Sequence, residues 1–169
     1  TLIIRLLPSV VPSIDELGLP AVCKELILRP RGLVLITGPT GSGKSTTLSA
    51  MINYLNDTQT RSVVTIEDPI EFFYTNNKCV ITQRELGGDT KSFAEALRRV
   101  LRQDPDVILV GEMRDAETAS AAITLAETGH LVLTTGHAPS ASQAVERVID
   151  LFPTHERPTA QSRLASLLT

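Results

Sequence analysis

A glycine-rich stretch between an apolar run and a helical segment constrains this sequence more than any other feature. The residues GPTGSGKS at 38–45 fit the P-loop pattern G-x-x-x-x-G-K-S, and they follow the apolar run 33–37. The glycines let backbone N–H groups turn inward, and the N-terminus of the next helix, at 44–55, adds partial positive charge. Because strand, loop and helix are all in place, a chance glycine-rich turn is disfavoured and a phosphate-binding site is predicted.

The P-loop pattern assigns roles to individual side chains. We expect Lys44 to bridge the β- and γ-phosphates of a nucleoside triphosphate, Ser45 to hold Mg²⁺, and Thr46 to touch the α-phosphate. The implied cofactors are therefore ATP and Mg²⁺. The residues expected to bind the nucleotide are Gly38, Pro39, Thr40, Gly41, Ser42, Gly43, Lys44, Ser45 and Thr46.

Apolar strands alternate with helical segments along the rest of the chain. Ser13 and Glu16 have capping-box spacing, which predicts a short helix start there. Because the strands are continuously apolar, they predict an α/β fold with a mostly parallel sheet and helices on both faces. Strands are predicted at 2–7, 33–37, 62–66, 79–83, 106–110 and 131–135, and further helices at 20–28, 44–55, within 90–103, and at 115–127, 140–151 and 155–168.

Composition narrows the possible classes of protein. The 169 residues are 42% hydrophobic, which suits one domain with a real core. A net charge of −3 without a long basic run disfavours a nucleic-acid surface. The two cysteines, Cys23 and Cys79, form no C-x-x-C pair, which disfavours a zinc site or a disulfide framework. No segment approaches the roughly 20 apolar residues of a transmembrane helix.

An acidic residue follows the apolar strand in DVILVGEMRD. A common Walker B pattern ends in Asp-Glu, but Gly111 stands where the aspartate would be, so direct Mg²⁺ ligation from this strand is lost. We expect the strand 106–110 to pair beside the P-loop strand, which would bring Glu112 near the γ-phosphate as a catalytic base or water-orienting group. The alternative is an acid near a helix N-cap, which the position makes less favoured.

Three acids, Glu67, Asp68 and Glu71, follow another strand in TIEDPIEF, where Pro69 stiffens the turn. One or more of them could hold Mg²⁺ through its waters and so make up for Gly111. The alternative is a solvated acidic turn, which is less favoured beside a P-loop with an incomplete Walker B pattern.

Two histidines bracket a strand in TGHLVLTTGHAPSA. A lone histidine more often caps a strand or lies in a surface loop, and the residues by themselves leave that interpretation open for His130 and His137.

Taken in order, these motifs resemble those of the secretion and type IV pilus ATPase superfamily. GPTGSGKSTT, TIEDPIEF (the aspartate box), DPDVILVGEMRD (Walker B) and TGHLVLTTGHAPSA (the histidine box) span about 32–152. The resemblance implies a RecA-like P-loop ATPase that forms a homo-hexameric motor with an inner-membrane platform protein. It implies a cytoplasmic protein, peripheral at the inner face of the bacterial inner membrane.

The resemblance also implies domain boundaries. Residues 1–30 would be the end of a preceding segment, and 31–169 a RecA-like ATPase domain truncated at its C-terminus. The chain begins at Thr1 rather than Met, and we interpret it as a piece of a longer protein whose N-terminal domain is absent.

Site roles also follow from the resemblance. His137 would reach the γ-phosphate and His130 would support the site, which completes a catalytic set with Glu112 and Glu67. Metal contacts would come from Ser45, and from Glu67 and Glu112 through water. The family usually has Leu-His-Thr where this chain has Gly136-His137-Ala138, so we expect a looser backbone around the imidazole.

Differences of one or two residues within the motifs indicate the branch of the superfamily that the chain resembles. GKSTT, EDPIEF, GEMRD, QRELGGDT and VIDLFP resemble the retraction branch, the twitching-motility ATPases, and the alternative is a pilus assembly or type II secretion ATPase.

A RecA-like DNA translocase would need basic loops. Arg98, Arg99 and Arg102 cluster on one helix, but such a face is more often solvated. A small P-loop kinase would need an arginine-rich lid, which we do not find, and the acid and histidine motifs disfavour a non-hydrolysing switch.

Overall fold

A five-stranded parallel sheet forms the centre of the computed structural model, which describes residues 10–168. The strand order is β1-β5-β4-β2-β3, and every neighbouring pair is parallel. The α/β fold class predicted from the sequence is confirmed. The predicted strand at 2–7 lies outside the described residues. The strands are β1 (Gly32–Thr37), β2 (Ser62–Glu67), β3 (Val80–Glu85), β4 (Val107–Glu112) and β5 (Leu131–Gly136).

Six helices accompany these strands within the described residues, close to the predicted positions. Three of them begin at a polar N-cap, Ser92, Asp115 or Ser140, whose side chain accepts a backbone N–H three residues later. The helices are α1 (Val22–Ile27), α2 (Lys44–Thr58), α3 (Phe93–Val100), α4 (Ala116–Glu127), α5 (Ala141–Asp150) and α6 (Arg157–Leu167). Three of them, α2, α3 and α4, connect one strand to the next.

The short helix predicted to start at Ser13 is wrong, because residues 14–18 form only a turn. The capping-box bonds do form: the Glu16 carboxylate accepts the Ser13 N–H at 2.8 Å, and Ser13 Oγ accepts the Glu16 N–H at 3.2 Å. Gly18 then adopts a left-handed conformation (φ 63°) and Pro20 follows, so the turn cannot propagate into a helix.

Successive side chains of the central strands enter two different cores. In β4, Val107 and Leu109 pack with α1 and α2, whereas Ile108 and Val110 pack with α3, α4, α5 and α6. This alternation is the two-residue period of a strand, and here both faces are buried. Helices therefore cover both faces of the sheet, as predicted.

The order of the strands corrects one expectation from the sequence. The strand predicted at 106–110 does not pair beside the P-loop strand: β5 lies between β1 and β4. The chain leaves β4, forms α4 and returns as β5 directly beside it, since consecutive strands of a parallel sheet are usually neighbours. The carboxyl ends of β1, β5, β4 and β2 consequently lie side by side, in that order, along one edge of the sheet.

No helix in the described part of the chain is both long and apolar enough to span a bilayer.

Candidate nucleotide-binding site

A cleft of about 470 Å³ opens at the carboxyl edge of the sheet. Its walls come from the P-loop and the start of α2, from the segment after β2, and from the ends of β4 and β5. The motifs that the sequence analysis singled out therefore meet in one cavity. Among the residues lining it are Thr40, Gly41, Gly43, Lys44, Ser45, Thr46, Glu67, Asp68, Glu71, Gly111, Glu112, Arg114, Thr135 and His137.

The P-loop backbone is open to an anion. Gly43 is the N-cap of α2 in a left-handed conformation (φ 88°), and no side chain in the described part of the chain caps the helix. The first N–H groups of α2 thus lack a side-chain acceptor, and the helix dipole adds positive potential there. At the loop's start the chain folds tightly, since a Cβ on Gly38 would lie 2.6 Å from Ser42 Oγ.

Lys44 lies in the cleft and is bound only to its own loop. Its ammonium donates to the carbonyl oxygens of Gly38 at 3.1 Å and Pro39 at 2.9 Å. Within residues 10–168 it forms no ion pair with a carboxylate. This cation is consequently available to a phosphate.

Glu67 is a half-buried acid at the end of β2. Thr65 Oγ1 donates to its carboxylate at 2.6 Å, and Gln83 Nε2 lies at 3.4 Å. Burial raises the pKa of Glu67, and these hydrogen bonds offset only part of that effect. A cation close to this carboxylate would stabilise its charged form.

Gly111 faces Glu67 directly. A Cβ on Gly111 would lie 3.4 Å from the Ile66 carbonyl oxygen and 3.6 Å from Glu67 Cα. The side chain of an aspartate at this position would therefore start in contact with the end of β2, next to Glu67. That the acids after β2 make up for the carboxylate that Gly111 lacks stays a prediction.

Glu112 ends β4 between a guanidinium and an imidazole. Arg114 forms an ion pair with Glu112 Oε1, and His137 Nε2 lies 3.8 Å from Oε2. The hydrogen bond to Glu112 raises the pKa of Arg114, which keeps that side chain charged. The Glu112 side chain is only 14% exposed, so these contacts fix its direction.

His137 sits on a loop that is tied from two sides. Thr37 Oγ1 donates to the Ala138 carbonyl at 2.8 Å and accepts the Ala138 N–H at 3.1 Å, and Arg147 donates to the His137 carbonyl at 2.6 Å. Gly136 lies in β5, in register with Thr37. Hydrogen bonds from Thr37 and Arg147 to backbone groups therefore hold the loop that carries His137, although the family's usual leucine and threonine are replaced.

The structure does not bring His130 to this cleft. His130 precedes β5 and His137 follows it, so the full strand Leu131–Gly136 separates them. The His130 ring contacts the Leu125 carbonyl at 3.0 Å, at the amino edge of the sheet. We correct the expectation that His130 neighbours His137, because parallel strands collect only their carboxyl-terminal loops at the site.

The donors in the cleft suit Mg²⁺. Ser45 contributes a hydroxyl, and Glu67 and Glu112 contribute carboxylates, all hard oxygen ligands. In the described part of the chain no group of three or more His, Cys, Asp or Glu residues forms a metal cage.

Four residues of this region went unrecognised in the sequence. Thr37 and Thr135 bridge neighbouring elements, since Thr135 Oγ1 donates to the Gly111 carbonyl at 2.6 Å. Arg114 lies inside the Walker B stretch, so its position two residues after Glu112 was a usable signal. Arg147 reaches the site from α5, and nothing in its local sequence indicates this.

Known proteins resemble the chain along almost its whole length. The family model described as type II/IV secretion system protein matches residues 1–167. The type IV pilus retractation ATPase PilT of Pseudomonas aeruginosa is 54% identical over 98% of this chain and 48% of its own length. The twitching motility protein of Neisseria gonorrhoeae is 54% identical over 99% of this chain and 45% of its own length.

A solved structure shows the same likeness in three dimensions. The crystal structure of the pilus retraction motor PilT with bound ADP superposes with a TM-score of 0.93 at 51% identity, covering 97% of this chain and 48% of that one. The chain thus spans about half the length of the relatives it matches.

Proposed function

Because the chain belongs to the type II/IV secretion system protein family, we propose that it is the ATP-hydrolysing core of a motor that powers type IV pilus retraction. The observation that carries the proposal is the convergence of Lys44, Glu112, Glu67 and His137 on one cleft. A phosphate-binding loop alone would suit many proteins. The added carboxylates and imidazole supply what hydrolysis requires.

Each group has a part in the reaction. The P-loop N–H groups and Lys44 hold the β- and γ-phosphates, and Glu112 orients a water for attack on the γ-phosphorus. When bound, Mg²⁺ would neutralise charge on these phosphates, with Ser45 as ligand and Glu67 and Glu112 acting through water. His137 donates to the γ-phosphate, so loss of that phosphate releases its loop.

The larger assembly is also a proposal. We infer a homo-hexamer of the full-length protein, working in the cytoplasm at the inner face of the bacterial inner membrane with a platform protein there. The names of the pilus retraction and twitching motility relatives support the retraction role over pilus assembly or type II secretion.

The arginines on α3 weaken the DNA translocase alternative. Arg98 pairs with Glu117 at 2.6 Å, and Arg99 pairs with Glu95 at 2.5 Å. Two of the three charges that suggested a basic surface are thus neutralised by neighbouring acids, which leaves little positive potential for a phosphate backbone.

The test is ATP turnover by the full-length protein, with Glu112→Gln as the decisive variant. We expect turnover that double-stranded DNA does not stimulate, and a loss of roughly 10² or more in Glu112→Gln with nucleotide still bound, because the substitution keeps shape but removes a positioned catalytic group. Glu117→Gln, which alters an exposed acid of α4, serves as the matched control. Normal turnover in Glu112→Gln, or strong stimulation by DNA, would contradict the proposal.

A further inference from the structure

A second cavity adjoins the nucleotide cleft. It has a volume of about 310 Å³ and lies between the end of β4, the loop after β5 and α5. Glu112, Arg114, Thr135 and His137 line both cavities, so these residues form a shared wall. The P-loop contributes to the first cavity only.

Arg147 brings an uncompensated positive charge to this second cavity. Its Nη1 donates to the His137 carbonyl at 2.6 Å, and among residues 10–168 its guanidinium has no carboxylate partner. Arg114, the other guanidinium there, is paired with Glu112. A guanidinium carries five N–H donors, so Arg147 keeps donors for a planar or tetrahedral oxyanion.

We propose that this second cavity is a binding site for inorganic phosphate and receives the product after hydrolysis. The inference rests on the proposed ATPase function. In that reaction the water oxygen bonds to the γ-phosphorus, the bond to the bridging oxygen breaks, and its electron pair stays with ADP. Released phosphate is repelled by the ADP that remains on the P-loop. Arg147 lines the second cavity but not the nucleotide cleft, so a phosphate that passes the shared wall meets this guanidinium.

The location of Arg147 links phosphate occupancy to the loop of His137. The same guanidinium would hold the anion on one side and the His137 carbonyl on the other. Occupancy of this cavity by phosphate and the position of the imidazole loop would therefore be coupled through one side chain.

The experiment measures binding of inorganic phosphate to the full-length, ADP-saturated protein by equilibrium dialysis with radiolabelled phosphate. We expect Arg147→Gln to weaken phosphate binding about tenfold, in line with losing a hydrogen bond between charged groups, and to leave ADP affinity within twofold. Arg147→Lys keeps the charge and should retain part of the affinity. Arg102→Gln removes an exposed arginine of similar chemistry and serves as the matched control.

The outcomes separate the possible explanations. Equal phosphate affinity in the wild type and in Arg147→Gln would overturn the proposal. Phosphate binding that depends on Lys44 alone would also overturn it, because the anion would then lie on the P-loop. An equal loss of ADP and phosphate affinity would make Arg147 a purely structural residue and would also overturn it. Phosphate binding that depends on Arg147, in a protein without ATP turnover, would support this site and defeat the ATPase proposal instead.

Discussion

At the scale of single residues, the two candidate acids differ in their surroundings. Glu112 is bracketed by Arg114 and His137, whereas Glu67 is enclosed by β2 and β3 with the neutral partners Thr65 and Gln83. Environments that differ in this way assign different tasks to otherwise equal carboxylates. Glu112 is suited to orienting a water, and Glu67 to binding a cation.

The raised pKa of Glu67 predicts a stability effect in the nucleotide-free protein. The folded state binds a proton on Glu67 more tightly than the unfolded state, so this group lowers the free energy of unfolding as pH rises from its ordinary value through its raised one. We expect Glu67→Gln to be more stable than the wild type near pH 7, with the difference shrinking towards about pH 4.

The measurement is urea denaturation across that pH range without nucleotide or Mg²⁺. Glu117→Gln is the control, because its carboxylate is exposed and pairs with an exposed arginine. A Glu67→Gln protein that is less stable than the wild type at neutral pH would mean that the hydrogen bonds from Thr65 and Gln83 outweigh burial.

At the scale of elements, hydrogen bonds between the end of β1 and the loop after β5 connect the P-loop to the loop that carries His137. Thr37 is the last residue of β1 and bonds to both polar groups of Ala138. The Gly38 N–H also donates to the Gly136 carbonyl at 3.3 Å. The start of the P-loop and the imidazole loop thus form one hydrogen-bonded unit.

Thr37→Val should break this unit with little change in volume. Two hydrogen bonds are lost and a part-buried peptide is left unsatisfied, so we expect a cost of about 1–3 kcal/mol in the free energy of unfolding. The preference for ATP over ADP should also decrease, since the loop of His137 is no longer held. Urea denaturation and nucleotide titration measure the two effects.

Thr134→Val is the matched control on the neighbouring strand. The Thr134 hydroxyl is buried and has no hydrogen-bond partner among residues 10–168. Its replacement by valine should therefore be neutral or slightly stabilising. Equal effects of the two substitutions would contradict the role of Thr37.

The elements themselves were largely predictable, but their arrangement was not. The P-loop, the N-cap Asp115 and the apolar strands each carry a local signal. The position of β5 between β1 and β4 does not, because strands buried on both faces have similar compositions whatever their neighbours. The assignment of His130 to the site came from the resemblance, whereas a parallel sheet by itself brings only the residue after the strand, His137, to the carboxyl edge.

At the scale of the whole molecule, the cleft is short of positive charge for phosphoryl transfer. Within the described residues, Arg114 is the single arginine that lines it, and Glu112 already engages that side chain. P-loop enzymes commonly need an arginine finger that reaches the γ-phosphate, often from another domain or subunit. The relatives are about twice as long as this chain, so residues beyond it have room to supply such a group.

The last prediction therefore concerns the 169-residue chain by itself. We expect it to bind nucleotide with Mg²⁺, because the P-loop, Lys44 and the acids are complete within it, and to remain mainly monomeric. Its turnover should fall below that of the full-length protein by about 10³ or more, the usual contribution of an arginine finger. Light scattering and steady-state ATPase assays on both proteins, side by side, provide the measurement. If the isolated chain turns over as fast as the full-length protein, the positive charge is supplied from within, and catalysis between subunits of a ring is excluded.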